Sequence, residues 1–190
     1  MEKDAACRIM DIAEDEGFLV EGFIDGKAYS QRDYMEDSER MSRCGRDAAY
    51  VQRTRIPVEN IFDFLRRADR LDSLNILVED LARRPAVRQR VEKIDGVYLT
   101  TSGNLILETS STEAGKGTAL RELAAMLGIA REETAAFGNA ENDIGMLRFA
   151  GIGVAVANAE KEVRAAADEV TESNAEDGVA QWLLRYLREE

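Results

Sequence analysis

The apolar residues in the first part of the chain follow helical and strand periods in an irregular order. Residues 3–16 place apolar side chains at helical spacing, and Gly17 suits the end of that helix. Residues 18–30 then alternate around Asp25-Gly26, a favoured tight-turn pair, which predicts a β-hairpin. We therefore expect a helix that is followed by two antiparallel strands.

The remaining elements of the first part have no simple rhythm. The pattern predicts a polar helix at about 31–41, a helix opened by Pro57 with Ile61, Phe62, Phe64 and Leu65 on one side, a strand over 71–78, a helix over 79–94 that contains Pro85, and a second hairpin over 97–110. Strands and helices in this irregular order indicate an α+β unit, which we predict for residues 1–107.

Residues 108–190 alternate regularly between helix and strand. Short runs at 134–138, 152–157 and 169–173 predict strands, the first two of them apolar, and helical patterns lie before, between and after them. Such an alternation is typical of parallel, right-handed βαβ units, so this part is predicted to be α/β. In parallel sheets of this kind, chemistry gathers at the carboxyl ends of the strands. The loop Gly138–Asp143, just after the first of these strands, is therefore the candidate site.

Composition narrows the classes of function. The 190 residues carry a formal net charge of -12, which argues against a general nucleic-acid or anionic-membrane surface but leaves room for a small phosphorylated ligand. No histidine is present, so imidazole bases and histidine-bound metals are excluded. Cys7 and Cys44 fit packed, reduced thiols better than a disulfide. With no signal-peptide pattern and no apolar run long enough to span a bilayer, we expect a cytoplasmic protein.

Three segments can carry chemistry. Lys116 stands at the start of a predicted helix, where a lysine and the helix N-terminus together can hold a phosphate; a solvated lysine is the plainer interpretation. In the loop Gly138–Asp143, Asn142 and Asp143 can face the site or simply cap the next helix. The segment Asn174–Gly178 is equally explained as a turn and helix cap.

Together these segments have a more specific meaning. Lys116 followed by GNAENDIGML, GIGVAVANA and ADEVTESNAEDGVA resembles, over about residues 108–188, the C-terminal half of the core of the Cof-type phosphatases in the haloacid dehalogenase superfamily. The first part is similar to the type IIB cap of that family, more loosely. The resemblance implies a partial Rossmann-like core with an α+β cap. It also implies Mg²⁺-dependent hydrolysis of phosphate esters, often sugar phosphates, through an aspartyl-phosphate intermediate.

The resemblance also implies a role for each matching residue. Lys116 matches the lysine that stabilises the nucleophile and the transferring phosphoryl group. Asn139 falls where the family has a magnesium-binding aspartate, and Asn142 and Asp143 match the polar pair that supports the metal's water shell and the loop. Asn174 and Asp177 match a second loop beside the phosphate pocket.

The sequence departs from the family pattern at two points. It contains no Asp-x-Asp, the motif that carries the family's nucleophile, and Asn139 replaces a metal-binding carboxylate by a neutral amide. We therefore expect Mg²⁺ to bind weakly or not at all. Three hypotheses remain open: a diverged phosphatase that is inactive as this chain alone, an enzyme completed by another chain or an upstream segment, and a module that binds or senses an anion. The strand at 134–138 would present an open edge, so we expect a homo-oligomer or a chain that supplies the other half of the core.

Overall fold

The computed structural model describes residues 1–101 and 105–189 and divides into two compact units, Met1–Thr112 (unit 1) and Glu113–Glu190 (unit 2). The boundary between the two units lies a few residues later in the sequence than the predicted boundary at 107/108. The reason is that the last strand of unit 1 stays paired in its sheet through Ser111. The turn of the second predicted hairpin, residues 102–104, lies outside the described residues.

Unit 1 is built on a six-stranded sheet. Its elements are α1 (Lys3–Asp15), β1 (Leu19–Ile24), β2 (Lys27–Gln31), α2 (Arg32–Glu36), α3 (Ser38–Arg43), α4 (Ala48–Thr54), β3 (Arg55–Val58), α5 (Ile61–Arg67), β4 (Ser73–Leu77), α6 (Arg84–Val91), β5 (Val97–Thr100) and β6 (Ile106–Ser111). The strand order is β3-β2-β1-β4-β6-β5, and all neighbours run antiparallel except β2 and β3.

The first face of this sheet is covered by α1, α5 and α6. The predicted hairpin is confirmed, with Asp25 and Gly26 at φ 49° and 71° in the tight turn between β1 and β2. In α1, apolar side chains at helical spacing, among them Ala6, Ile9 and Met10, are fully buried against the sheet. This face therefore holds the main core of unit 1, where the sequence pattern was most regular.

The helix predicted around Ile61, Phe62, Phe64 and Leu65 is present, but its predicted start at Pro57 is wrong. Pro57 lies in β3, which among the described residues pairs only with β2, in parallel. Proline is tolerated in such an edge strand, because one side of the strand makes no ladder bonds there. The helix α5 begins at Ile61, where the Asn60 side chain accepts a hydrogen bond from the Asp63 N–H at 3.0 Å. The predicted helix over 79–94 is likewise shorter, with Pro85 in its first turn.

The second face of the sheet carries a smaller core under α2, α3 and α4. Tyr34, Met41 and Cys44 are buried there with Leu77 of β4. The single polar helix predicted at 31–41 is divided at Asp37, whose side chain accepts from the Arg40 N–H at 2.9 Å and starts a new helix. Both faces of the sheet are therefore packed at this end of the unit.

The two thiols should differ sharply in reactivity. Burial, together with the nearby Glu79 carboxylate, raises the pKa of Cys44, which is only 1% exposed. Cys7 on α1 is partly exposed, and both cysteines are free. With a disulfide reagent at neutral pH we expect one thiol per native chain to react quickly and the other about 100-fold more slowly. Cys7→Ser should remove the fast phase; two equal phases would contradict this assignment.

Unit 2 has the regular alternation that the sequence predicts. Its elements are α7 (Lys116–Leu127), β7 (Ala135–Gly138), α8 (Ile144–Phe149), β8 (Ile152–Val156), α9 (Lys161–Ala166), β9 (Glu169–Thr171) and α10 (Gly178–Glu189), with 3-10 turns at Arg131–Glu133, Glu141–Asp143 and Asn174–Glu176. The strands pair in parallel in the order β7-β8-β9. Among the described residues of the chain, no helix combines the length and apolarity needed to cross a bilayer.

Candidate functional site

Three loops meet at the carboxyl edge of the sheet in unit 2. The loop after β7 is tied to the loop after β8, because the Glu160 N–H donates to the Asn139 carbonyl oxygen at 3.2 Å. The loop after β9 is tied to the same neighbour by the Asn174 N–H, which donates to Asn158 Oδ1 at 3.0 Å. The parallel topology therefore brings together loops that lie far apart in the sequence.

An ion pair stands at the centre of this edge. Lys116 Nζ lies 2.5 Å from Asp143 Oδ1 and 3.4 Å from Asn142 Oδ1. The other carboxylate oxygen of Asp143 accepts from the N–H groups of Asn139 and Ala140, at 2.8 and 3.1 Å. The structure thus brings Lys116, Asn142 and Asp143 together, with the backbone of Asn139 beside them.

The carboxylate of Asp143 is held in its charged form. Its side chain is 5% exposed, and this burial by itself would raise the pKa of Asp143. The hydrogen bonds from Lys116 and from the two backbone N–H groups outweigh burial, so the pKa lies below its ordinary value. Asp143 consequently fixes the lysine ammonium while half of that lysine side chain stays exposed.

Two glycines make this arrangement possible. A Cβ on Gly138 would stand 2.4 Å from the Asp143 Cβ, so only glycine lets the buried aspartate pack against the end of β7. A Cβ on Gly117 would stand 2.6 Å from the backbone of Gly145, where α7 and α8 approach each other closely. This close packing sets the first residue of α7, Lys116, next to Asp143.

The other predicted site residues are arranged less tightly. Asn139 is exposed and reaches the cluster through its backbone, and Asn174 contacts Asn158 through its backbone N–H. Asp177 adopts a left-handed conformation at φ 55°, and its carbonyl oxygen accepts from the Gln181 N–H at the start of α10. The described contacts do not link Asp177 to Lys116, so its place beside a phosphate pocket stays a prediction.

The sequence reasoning missed two residues of this edge. Asn158 follows β8 and holds the loop after β9, and Arg164 donates to the carbonyl oxygens of Ala157 and Ala159 at 2.9 and 2.8 Å. A signal for Asn158 was present, because it stands just beyond the end of β8 as Asn139 stands beyond the end of β7. Arg164 had no such signal, since its targets are backbone atoms.

The donor set does not fit a magnesium site by itself. No group of three or more Cys, Asp or Glu side chains that could hold a metal occurs among the described residues. Both oxygens of Asp143 are already engaged, by Lys116 and by backbone N–H groups, and Asn139 offers at most a neutral oxygen. Further carboxylates would have to come from outside these residues, and ligation by Asn139 and Asp143 stays a prediction.

Comparison with known proteins identifies the family. A family model described as haloacid dehalogenase-like hydrolase matches residues 1–183. The chain belongs to the haloacid dehalogenase-like hydrolases. Similar relatives include phosphatase YwpJ of Bacillus subtilis (strain 168), 40% identical over 131 residues, which are 67% of this chain and 46% of that protein. A phosphoglycolate phosphatase of Archaeoglobus fulgidus is 43% identical over 92 residues, 48% of this chain and 40% of that protein.

Solved structures confirm the α/β fold predicted from the sequence. A haloacid dehalogenase-like hydrolase from B. subtilis, 29% identical, superposes with a TM-score of 0.76 and covers 95% of this chain and 69% of its own. The subclass IIB sugar phosphatase BT4131 is only 20% identical and so shows the fold alone, with a TM-score of 0.82 over 98% of this chain and 67% of its own. The chain spans less than half the length of the first curated relatives that it matches.

Proposed function

We propose that this chain is part of a phosphatase for small phosphate monoesters, in which Lys116 holds the phosphoryl group at the start of α7. The observation that carries the proposal is the Lys116–Asp143 ion pair at the carboxyl edge of a parallel sheet, in a chain that belongs to a hydrolase family. A half-exposed ammonium at a helix N-terminus attracts an anion through its own charge and through the helix dipole.

The roles that we propose for the residues follow from the charged groups that the chain contains. Phosphoryl transfer depends on positioning and on neutralisation of the charge that develops on the phosphoryl oxygens. Lys116 supplies one positive charge, and the buried Asp143 carboxylate keeps its half-exposed ammonium in place. The chain has no Asp-x-Asp, so we propose that the attacking carboxylate comes from outside residues 1–190 and that these residues alone bind a phosphate without turning it over.

The relatives indicate the substrate class. Those of B. subtilis include a 5-amino-6-(5-phospho-D-ribitylamino)uracil phosphatase, and two archaeal relatives are phosphoglycolate phosphatases. The substrates in these enzyme names are all small phosphorylated metabolites. The net charge of -12 further argues against a nucleic-acid substrate.

We also propose a cytoplasmic location, which the two free cysteines support.

One observation favours a second function, anion binding without turnover. Asn139 stands where the resemblance to the Cof-type phosphatases implies a metal-binding aspartate, and an amide there lacks the negative charge that would hold Mg²⁺. An edge that keeps Lys116 but lacks this charge remains suited to an anion.

The deciding experiment measures hydrolysis of an aryl phosphate, phosphoglycolate and several sugar phosphates with Mg²⁺. We expect no turnover from residues 1–190, and turnover once the corresponding part of a solved relative is added. Asn139→Asp should raise the activity of the completed protein. Phosphate binding without turnover in the completed protein would instead support the second function. Turnover by residues 1–190 alone that is lost in Lys116→Ala would refute the proposal that the attacking carboxylate comes from outside these residues.

A further inference from the structure

A groove in unit 1 is lined by the edge strand β3 and by the helix α5. Its volume is about 650 Å³, within the range of roughly 300–1,000 Å³ that is typical of small-molecule sites. The residues that line it all belong to unit 1, so the groove shares none of them with the Lys116 cluster of unit 2. Its apolar wall is formed by Pro57, Val58, Phe64 and Ala68.

Contacts within unit 1 hold the walls of this groove in place. The Gln31 side chain donates to the Glu59 carbonyl oxygen at 2.6 Å and accepts from the Ile61 N–H at 2.9 Å, which fixes the connection between β3 and α5. The ring of Phe64 packs against the ring of Tyr29, with the centroids 4.7 Å apart. A site that is formed before its ligand arrives loses little conformational entropy on binding.

The charged side chains that line the groove differ in availability. Arg32 and Glu59 form an ion pair with each other. Asp63 and Arg67 stand one turn apart on α5, and neither side chain forms an ion pair or hydrogen bond with another described residue. Side chains at this helical spacing have Cβ atoms about 5–6 Å apart. One unpaired carboxylate and one unpaired guanidinium therefore stand close together in the same groove.

The open side of β3 offers hydrogen-bond acceptors to the groove. Because proline has no N–H, Ile56 and Val58 make the ladder bonds to β2. Arg55 and Pro57 consequently turn their backbone groups to the open side, where the Arg55 N–H already donates to the Val51 carbonyl oxygen. An added strand needs donors as well as acceptors, so this edge does not suit a β-strand. It suits a ligand that brings its own donor.

We propose that the groove binds an α-amino acid with an apolar side chain. The ligand carboxylate meets the Arg67 guanidinium, its ammonium group meets the Asp63 carboxylate, and its side chain packs against Phe64. The two charges of such a ligand are opposite in sign to the two unpaired charges of the groove, and they lie close enough together to fit between side chains one turn apart. An apolar carboxylate would leave Asp63 unpaired, and an apolar amine would leave Arg67 unpaired.

This site goes beyond the proposed function, because it lies in unit 1 and takes part in no step of phosphate hydrolysis. Its occupancy is measured as binding, without turnover. A lack of phosphatase activity therefore does not affect the result. A lack of amino-acid binding, in turn, leaves the role proposed for Lys116 unchanged.

Isothermal titration calorimetry of residues 1–190 with L-phenylalanine tests the proposal. Two analogues separate the charges: 3-phenylpropionate lacks the ammonium group, and phenethylamine lacks the carboxylate. We expect saturable binding of the amino acid and about tenfold weaker binding of each analogue, since each has lost one charge-assisted contact. Amide chemical shifts of β3 and α5 should change during the titration.

Two variants assign the charges of the groove. Asp63→Asn should bind phenylalanine and 3-phenylpropionate equally well, because the ammonium group no longer gains from a carboxylate. Arg67→Gln should bind phenylalanine and phenethylamine equally well for the corresponding reason. Both side chains are exposed, so the fold should be retained. Asp69→Asn and Arg70→Gln are the matched controls, since these exposed residues follow α5 without lining the groove, and they should keep the discrimination.

Three results would overturn the proposal. The first is the absence of binding at about 1 mM L-phenylalanine, a concentration at which even a weak specific site is half occupied. The second is equal binding of the amino acid and both analogues by the parent chain, which would reduce the groove to an apolar surface. The third is loss of the discrimination in the two control variants as well, which would place the recognised charges elsewhere.

Discussion

Replacing Glu21 by alanine is expected to lower the free energy of unfolding of unit 1 by about 3–5 kcal/mol. Glu21 lies on β1, is completely buried, and accepts hydrogen bonds from two arginines whose side chains are each 8% exposed. Arg46 contacts it at 3.0 and 3.3 Å, and Arg55 at 3.1 and 3.2 Å. Removal of the carboxylate would leave two guanidinium groups buried without their anionic partner, which is far more costly than loss of an exposed pair.

The control for this prediction is Glu59→Ala, which removes the same side chain from an exposed pair with Arg32. Pairs of this kind contribute between about 0 and 1 kcal/mol, because water screens both charges. Urea unfolding followed by circular dichroism would measure both variants. Glu21→Gln keeps the shape but not the charge and should fall between them. An equal loss in the free energy of unfolding for Glu21→Ala and Glu59→Ala would show that the buried cluster stabilises unit 1 no more than an exposed ion pair does.

The second large effect is expected for Lys116→Ala in the completed protein, where kcat/KM should fall by a factor on the order of 10²–10³. The ammonium is the only charge that the described cluster directs toward an anion, and Asp143 holds it within 2.5 Å. The stability of unit 2 should fall less than that of unit 1 in Glu21→Ala, because Asp143 keeps its two backbone donors and water can enter the half-exposed position of the ammonium.

Lys3→Ala provides the matched control for Lys116, since Lys3 is also the first residue of a helix and is exposed, but it belongs to unit 1. Steady-state kinetics on the same phosphate ester should show no change in this variant. Association with the added segment should be the same for Lys116→Ala and the parent chain, so that a loss of turnover reports on chemistry. An unchanged kcat/KM for Lys116→Ala would remove the lysine from the reaction.

Local patterns were sufficient for much of the fold. The tight turn at Asp25-Gly26 and the end of α7 at Gly128, with φ 68°, follow from residues that adopt left-handed backbone conformations readily. The alternation of unit 2 predicted parallel strands because short apolar runs separated by helices have few other arrangements. Pro57 was misassigned because proline is favoured both at a helix start and on an edge strand, and only the pairing of β3 distinguishes the two.

The sequence could not indicate which polar residues are buried. Glu21 occupies the alternating position that normally faces solvent, and its burial depends on Arg46 and Arg55, which arrive from later elements. Family resemblance and the topology of parallel sheets placed Lys116 and Asp143 in one candidate site, but the ion pair between them was not predicted. The close approach of Gly117 to Gly145 positions Lys116 next to Asp143. Because this contact involves no side chain, no pattern in the sequence predicts it.

The outward leucines of α7 and α10 also have a consequence for the cell. Leu123, Met126 and Leu127 of α7 and Leu183, Leu184 and Leu187 of α10 are exposed. Chaperones retain and proteases degrade proteins that expose apolar helix surface, so a chain in which these side chains stay uncovered would be short-lived in a cell. We expect its half-life to lengthen whenever another polypeptide covers them.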